Sequence, residues 1–232
     1  MFNKQKRYFK QKLNGVQKML WDLEFKRFKT QEIREEVRQE YDKSKAKLEV
    51  IQIQIKAQKE NPNLLICAGD LSNFGHNLKK LVLKLAEIKI PLLIISSNHD
   101  FEDELKIICS KLDNVIYLDK TSYQLDKYLF FGYGGGGFSY FDKEFEAVAN
   151  KFKKTIEEDS KIILITHAPP YGTSLDRLDI GYCGSKSIRN FIKEVKPILN
   201  ICGHLHENMN KKDRINKTLI INPGKTGEII NI

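Results

Sequence analysis

Several features that define whole classes of proteins are missing from this 232-residue sequence. No apolar run approaches the length of about 18 residues needed to cross a membrane, and the basic start MFNKQKRYFKQK lacks the apolar core of a signal peptide. Cysteine is scarce, with no Cys-x-x-Cys pair or disulfide-like spacing among Cys67, Cys109, Cys183 and Cys202. We therefore expect a protein of a reducing compartment, the cytoplasm, that does not associate with membranes.

Proline and glycine are almost absent from residues 1–60, where Gly15 is the only glycine and no proline precedes Pro62. This segment has 16 Lys and Arg against 9 Asp and Glu, whereas residues 61–232 have 23 against 21. Helix-forming Lys, Glu, Gln and Arg are its commonest polar residues. We therefore predict a basic helical N-terminal segment, residues 1–60, followed by a nearly neutral body, residues 61–232.

An apolar stripe with helical spacing runs along the N-terminal segment. Its members are Trp21, Phe25, Phe28, Ile33 and Val37, with Leu48, Ile51 and Ile55 continuing it. Such a stripe predicts either a cover for an exposed sheet edge in the body or self-association between copies of the chain. The positive charge leaves nucleic-acid binding as a third use.

The body alternates short apolar runs with amphipathic stretches, which is typical of an α/β protein. The runs predicted as buried strands are Leu64–Ala68, Leu92–Ser96, Lys161–Thr166 and Ile198–Cys202. Helical periodicity predicts helices within Asn77–Ile88, Phe141–Glu158 and Ser185–Lys196. Further strands are expected within Asn114–Tyr133, Thr218–Asn222 and Glu228–Ile232.

Polar residues of one chemical kind follow four of these predicted strands, where open α/β sheets place their sites. The four groups are Gly69-Asp70, Asn98-His99-Asp100, Thr166-His167, and Gly203-His204-Leu205-His206. Four of the five histidines fall in these groups, so an accidental distribution is a poor explanation. Imidazole nitrogens combined with carboxylate and amide oxygens suit Mn²⁺, Fe²⁺, Zn²⁺, Co²⁺ or Ni²⁺.

The ordered series Gly-Asp, Asn-His-Asp, His and Gly-His-x-His resembles the calcineurin-like metallophosphoesterase family in its compact prokaryotic form. The segments Thr166–Thr173 and Ile221–Gly224, with the Gly-Tyr-Gly-Gly turn, extend the resemblance over roughly residues 60–232. The resemblance implies an α/β fold with a layered β-sandwich flanked by helices. It also implies hydrolysis of phosphomonoesters or phosphodiesters by water activated at two divalent ions.

The resemblance also implies a role for each matching residue. The implied metal ligands are Asp70, Asn98, His167, His204 and His206. Asp70 would bridge two ions. Asn98, His167 and His204 would complete the ligands of one ion, and His206 would bind the other. His99 would contact the phosphate and protonate the leaving oxygen, with Asp100 orienting its imidazole.

One motif of the family is missing from the sequence. The family pattern begins with Asp-x-His after a first strand, but no histidine precedes His76 here. The ion bound by His206 would then retain mainly Asp70 and His206 as protein ligands, whereas the other ion keeps its full set. We therefore expect either a phosphoesterase weakened by an incomplete second metal site or a catalytically degenerate scaffold that acts as a binding or interaction module.

Two other catalytic designs are disfavoured by their missing motifs. The glycine run Gly134–Gly137 has neither the Gly-Lys-Ser/Thr ending of a P-loop nor the context of a dinucleotide-binding motif. No Gly-x-Ser-x-Gly elbow is present for a nucleophilic serine. The glycine run instead predicts a flexible turn near the active site.

Overall fold

The computed structural model describes residues 18, 20, 23, 26–27, 29–35, 37, 46, 48–71, 77–97 and 102–232. The chain divides into two structural units, Met1–Ala46 and Lys47–Ile232. The described residues of the first unit are helical, and the side chains of Ile33 and Val37 are exposed. Trp21, Phe25 and Phe28 of the predicted stripe lie outside the described residues.

Helix α1, residues 48–60, packs within the second unit although the sequence assigned it to the basic segment. Val50 and Ala57, two turns apart on one face, are buried. Gln54 Nε2 donates to Lys84 O at 2.6 Å, and Lys56 Nζ donates to Gly227 O at 2.8 Å. The helical prediction is confirmed here.

The apolar stripe predicted along α1 does not mark its buried face. Leu48, Ile51 and Ile55 are all exposed. Helix α1 instead buries the smaller side chains of Val50 and Ala57. The buried face of α1 is therefore not the face that carries its largest apolar side chains.

The first sheet of the second unit has three parallel strands in the order β1-β2-β3. These strands are β1 Leu65–Cys67, β2 Leu92–Ile94 and β3 Val115–Tyr117. Helices α2, Leu78–Ala86, and α3, Glu102–Cys109, lie in the two crossover connections. Helix α3 was not predicted from the sequence.

The second sheet has six strands in the order β10-β11-β9-β6-β5-β4. Its strands are β4 Thr121–Leu125, β5 Tyr128–Tyr133, β6 Lys161–Thr166, β9 Leu199–Cys202, β10 Lys212–Ile215 and β11 Thr218–Ile221. The four central strands are parallel, and the two outer strands are antiparallel to their neighbours. A separate hairpin joins β7 Arg177–Leu178 to β8 Gly181–Tyr182. Helices α4, Lys143–Phe152, and α5, Lys186–Val195, complete the unit.

The second sheet is buried on both faces, which explains the continuous apolar run of β6. Alternate side chains of a strand point to opposite faces. Ile163 and Ile165 pack with Leu93 of the first sheet, whereas Ile162 and Leu164 pack with the aromatic side chains of α4 and α5. Two facing sheets with helices outside them confirm the predicted α/β sandwich.

Most predicted strands and helices are present, but the last predicted strand is wrong. Residues 228–232 form no strand. Ile230 packs against the hydrophobic cluster shared by the two sheets without joining a hydrogen-bonded ladder. Within the described residues, no helix combines the length and the apolar character needed to cross a membrane.

Candidate metal centre

The carboxyl ends of three strands bring the predicted site residues together. Asp70 follows β1, His167 directly follows β6, and His204 and His206 follow β9. Strands β6 and β9 are parallel neighbours, with Thr166 opposite Cys202. Two loops that leave adjacent strands at the same level therefore carry three of the four histidines predicted at strand ends.

His167 is held in one orientation by a backbone contact. Its side chain is fully buried, and Nδ1 lies 3.0 Å from Ala68 O. A carbonyl oxygen only accepts hydrogen bonds, so Nδ1 is the donor in this contact. The other ring nitrogen, Nε2, faces Asp70 Oδ1 at 3.6 Å.

Asp70 faces a different imidazole with each of its carboxylate oxygens. Oδ1 lies 3.6 Å from His167 Nε2, and Oδ2 lies 3.3 Å from His206 Nε2. Oδ1 is buried and accepts no hydrogen bond from any described residue. Burying a carboxylate oxygen without a partner is costly, so this atom is where a cation is expected.

His204 and His206 complete the group of imidazoles. The His204 ring lies 5.0 Å from the His167 ring in an edge-to-face arrangement, measured between centroids. His206 is half exposed and begins the short 3-10 helix His206–Asn208. The site therefore has a buried side, formed by His167, and a solvent-accessible side, formed by His206.

The backbone turns sharply at both ligand-bearing strand ends. Asp70 and His204 have φ values of 53° and 66°, in the left-handed region that side chains other than glycine rarely adopt. Gly69 has φ of 89°, and a Cβ added there would lie 2.8 Å from His167 Nδ1. Only glycine allows β1 to end this close to His167.

The distances around Asp70 fit a divalent cation. Two ligand atoms that each lie about 2.1 Å from a tetrahedral ion are about 3.4 Å apart. The separations from Asp70 to His167 and His206 are 3.6 and 3.3 Å. A carboxylate oxygen and an imidazole lone pair also repel one another unless a proton or a metal ion lies between them.

The described residues do not form a closed ligand set by themselves. Among residues 48–71, 77–97 and 102–232, no three His, Cys, Asp or Glu side chains are close enough together to complete a metal site. Asp70 instead takes part in two separate pairs. The predicted ligand Asn98 and the predicted catalytic residues His99 and Asp100 lie outside the described residues, as does His76.

A buried carboxylate that sequence reasoning did not identify supports the loops beside the site. Asp119 accepts hydrogen bonds from Ser96 Oγ and, at 2.6 Å, from Gly134 N. Tyr117 donates to it at 3.2 Å, and burial together with the Asp119 charge raises the pKa of Tyr117, so the phenol remains a neutral donor. Asp119 thereby ties the end of β2 to the start of the glycine run.

A second buried carboxylate organises the loop that follows His167. Asp176 is fully buried and accepts hydrogen bonds from the backbone N–H groups of Gly172, Thr173 and Gly184, at 2.9, 2.6 and 3.0 Å. Gly172 and Thr173 lie four and three residues before Asp176, and Gly184 lies eight residues after it, so the carboxylate ties two separate turns together.

Known proteins share both the sequence pattern and the fold of this chain. The calcineurin-like phosphoesterase family profile matches residues 37–208. MJ1162, an uncharacterised protein of Methanocaldococcus jannaschii, is 29% identical over 180 residues, which cover 73% of this chain and 80% of that protein. UPF0046 protein K07C11.7 of Caenorhabditis elegans is 26% identical over 180 residues, covering 68% of this chain and 61% of the worm protein. The crystal structure of TT1561 of Thermus thermophilus has a TM-score of 0.60 at 14% identity, covering 78% of this chain and 86% of that one.

Proposed function

Because this chain belongs to the calcineurin-like phosphoesterase family, we propose that it hydrolyses phosphomonoesters or phosphodiesters with a metal-activated water. The observation that carries the proposal is the Asp70 carboxylate. Its oxygens face the imidazoles of His167 and His206, and one of them is buried without a hydrogen bond from any residue that the structure describes. Family membership supports phosphoester hydrolysis in general, and the residues around Asp70 supply the donor types that such chemistry needs.

The residues would hold divalent ions in two unequal sites. The proposed ligands of the fuller site are Asp70, Asn98, His167 and His204, whereas Asp70 and His206 would hold a second ion. Mn²⁺, Fe²⁺, Zn²⁺, Co²⁺ and Ni²⁺ suit this donor set. Bound ions would withdraw charge from the phosphate oxygens and make water a stronger nucleophile at neutral pH.

The chain's own residues would orient the ligands and move the proton. The contact of Nδ1 with Ala68 O orients the His167 ring, so that Nε2 and not Nδ1 points into the site. During hydrolysis a P–O bond forms to the attacking water and the P–O bond to the alcohol breaks. His99, oriented by Asp100, would give its proton to the departing oxygen, and the proton of the attacking water would pass to solvent.

The missing Asp-x-His motif favours a second candidate, a degenerate scaffold that binds without hydrolysing. With the second ion held mainly by Asp70 and His206, the clamp on the attacking and leaving oxygens is weak. The two candidates differ in turnover, since a scaffold retains the fold but releases no product. A slow hydrolase is the outcome that we expect.

Hydrolysis of nitrophenyl esters tests the proposal. Protein loaded with Mn²⁺ should release nitrophenol from bis(p-nitrophenyl) phosphate or from p-nitrophenyl phosphate, and His167→Ala should abolish the release. Asp179→Ala, which changes an exposed carboxylate, is the matched control and should retain activity. No turnover with any of the five ions would refute hydrolysis and support the scaffold.

Roles for the basic segment remain separate proposals. Nucleic-acid binding would be sensitive to salt and would disappear when residues 1–46, the first structural unit, are removed. Self-association through the same segment would disappear in the same deletion but would persist at high salt, because it relies on apolar contacts. A cytoplasmic location also remains a prediction.

A further inference from the structure

An exposed group of aromatic rings lies on the two loops that leave β5 and β6 beside the candidate metal centre. We call it the aromatic patch, and its members are the exposed Phe138, Tyr140 and Phe141 together with the partly buried Tyr171. Phe138 and Phe141 are 62% and 65% exposed, and Tyr140 is 47% exposed. Large rings left in water next to a candidate site are unusual, because burying them elsewhere would stabilise the protein.

Phe138 connects the patch directly to the candidate metal centre. Its ring lies 4.5 Å from the ring of His204 in an edge-to-face arrangement, measured between centroids. The contact uses only part of the ring, so most of its surface faces solvent. A phosphate held beside His204 would therefore place its ester group within reach of the Phe138 ring.

Tyr140 and Tyr171 are fixed by contacts with each other and with Tyr182. Tyr140 OH donates to Tyr182 O at 2.7 Å, and the rings of Tyr140 and Tyr171 lie 5.7 Å apart, edge to face. Tyr171 in turn lies 5.6 Å from the ring of Tyr182. Rings held in this way lose little conformational entropy when a flat ligand binds to them.

A lysine places positive charge beside three of the four rings of the patch. Lys186 Nζ lies 4.9 to 5.3 Å from the ring centroids of Tyr171, Tyr140 and Phe141. Within the described part of the chain, Lys186 forms no ion pair with an acidic side chain. Its charge is thus directed at the aromatic faces and remains available to an anionic ligand.

We propose that the aromatic patch binds a planar aromatic group attached to the phosphate ester, with a nucleobase as the natural example. Phe138 would stack on the planar group, and Lys186 would balance the negative charge of the ester. This inference rests on the proposed hydrolysis and narrows its substrates to nucleotide-like esters. The direct contact of the Phe138 ring with the His204 ring favours a substrate of the candidate metal centre over another occupant of the patch.

Two phosphates on the same ribose 5-oxygen separate stacking from phosphate recognition. Adenosine 5′-phosphate carries the base at the anomeric carbon where methyl ribofuranoside 5-phosphate carries a methoxy group, and their methyl esters supply the same comparison for diesters. Stacking on an aromatic side chain contributes enough to change kcat/KM by about tenfold or more. Wild-type protein should therefore prefer the adenosine compound by at least this factor.

Variants of Phe138 test whether its ring is responsible for the preference for the adenosine compound. Phe138→Ala and Phe138→Leu should both lose the preference, because leucine restores apolar volume without a flat ring, whereas Phe138→Trp should retain it. Ile107→Ala, which shortens another exposed apolar side chain on α3, should leave the preference unchanged. Lys186→Gln should weaken the binding of both phosphates by the same factor.

Equilibrium binding provides a readout that does not need turnover. By calorimetry, wild-type protein should bind adenosine 5′-phosphate about tenfold more tightly than the sugar phosphate, and Phe138→Ala should bind both equally. Equal binding or equal turnover in the wild type would overturn the aromatic subsite while leaving hydrolysis intact. Preferential binding without any turnover would support the subsite and overturn the proposed hydrolysis.

Discussion

Gly69→Ala is expected to damage both the stability of the chain and its affinity for metal. Gly69 has φ of 89°, and an added Cβ would lie 2.8 Å from His167 Nδ1 and from Ser97 Cβ. It would also lie 2.9 Å from the carbonyl oxygen of Ser96. All three neighbours belong to strand ends that surround Asp70, so none can move without disturbing the candidate site.

Two costs add in this variant. An L-residue in the left-handed region costs about 1 to 2 kcal/mol, and an overpacked methyl group costs about 1 to 3 kcal/mol more. The free energy of unfolding should therefore fall by about 2 to 5 kcal/mol. Displacing His167 from Ala68 O also removes the contact that orients its ring, which should lower metal affinity about 10- to 100-fold.

Gly227→Ala supplies the matched control. Gly227 has φ of 67°, but no atom lies within 4 Å of the position that its Cβ would take. This variant should lose only about 1 to 2 kcal/mol and should keep its metal affinity. Urea denaturation and calorimetric Mn²⁺ titration measure both quantities. Equal losses in the two variants would show that the approach of β1 to His167 is not what requires glycine.

Two further predictions concern buried groups away from the candidate ligands. Asp176→Ala should lower the free energy of unfolding by about 3 kcal/mol or more, because three backbone N–H groups lose their acceptor; a loss below about 1 kcal/mol in urea denaturation would contradict this. Burial raises the pKa of Cys109 from 9.0 to about 11, so the native thiol should resist iodoacetamide at pH 8. Between pH 9 and 11 the thiol ionises in the unfolded chain before it ionises in the folded one, so the free energy of unfolding should fall as pH rises. Cys109→Ala should make this fall smaller. Equal slopes of unfolding free energy against pH in the two proteins would refute the prediction.

The sandwich was predictable because its central strands are buried on both faces. The centre of β6 is a continuous apolar run, and β9 is apolar apart from Asn200, so the sequence did not need to show which face is buried. Helix α3 was missed although its signal was present: acidic residues begin it, and Leu105, Ile108 and Cys109 bury one face. The strand predicted at residues 228–232 is wrong for a different reason. A strand forms only where a neighbouring strand offers free hydrogen-bonding groups, and the local sequence does not show whether such a neighbour exists.

The candidate site was partly predictable for a similar reason. Residues that follow parallel strands meet at one edge, so Asp70, His167 and His204 could be grouped from their positions alone. The aromatic contact of Phe138 with His204 could not be anticipated, because it joins two loops far apart in the chain. Asp119 and Asp176 were also missed, since their donors come from turns whose shape arises only in the folded chain.

The metal content of the purified chain tests the central claim most directly. After loading with Mn²⁺ and removal of unbound ion, elemental analysis should find at least one tightly held ion per wild-type chain. Asp70→Ala should hold none, because both pairs of proposed ligands share this carboxylate. Wild-type protein without bound metal, or Asp70→Ala with the full wild-type content, would contradict a metal centre built around Asp70.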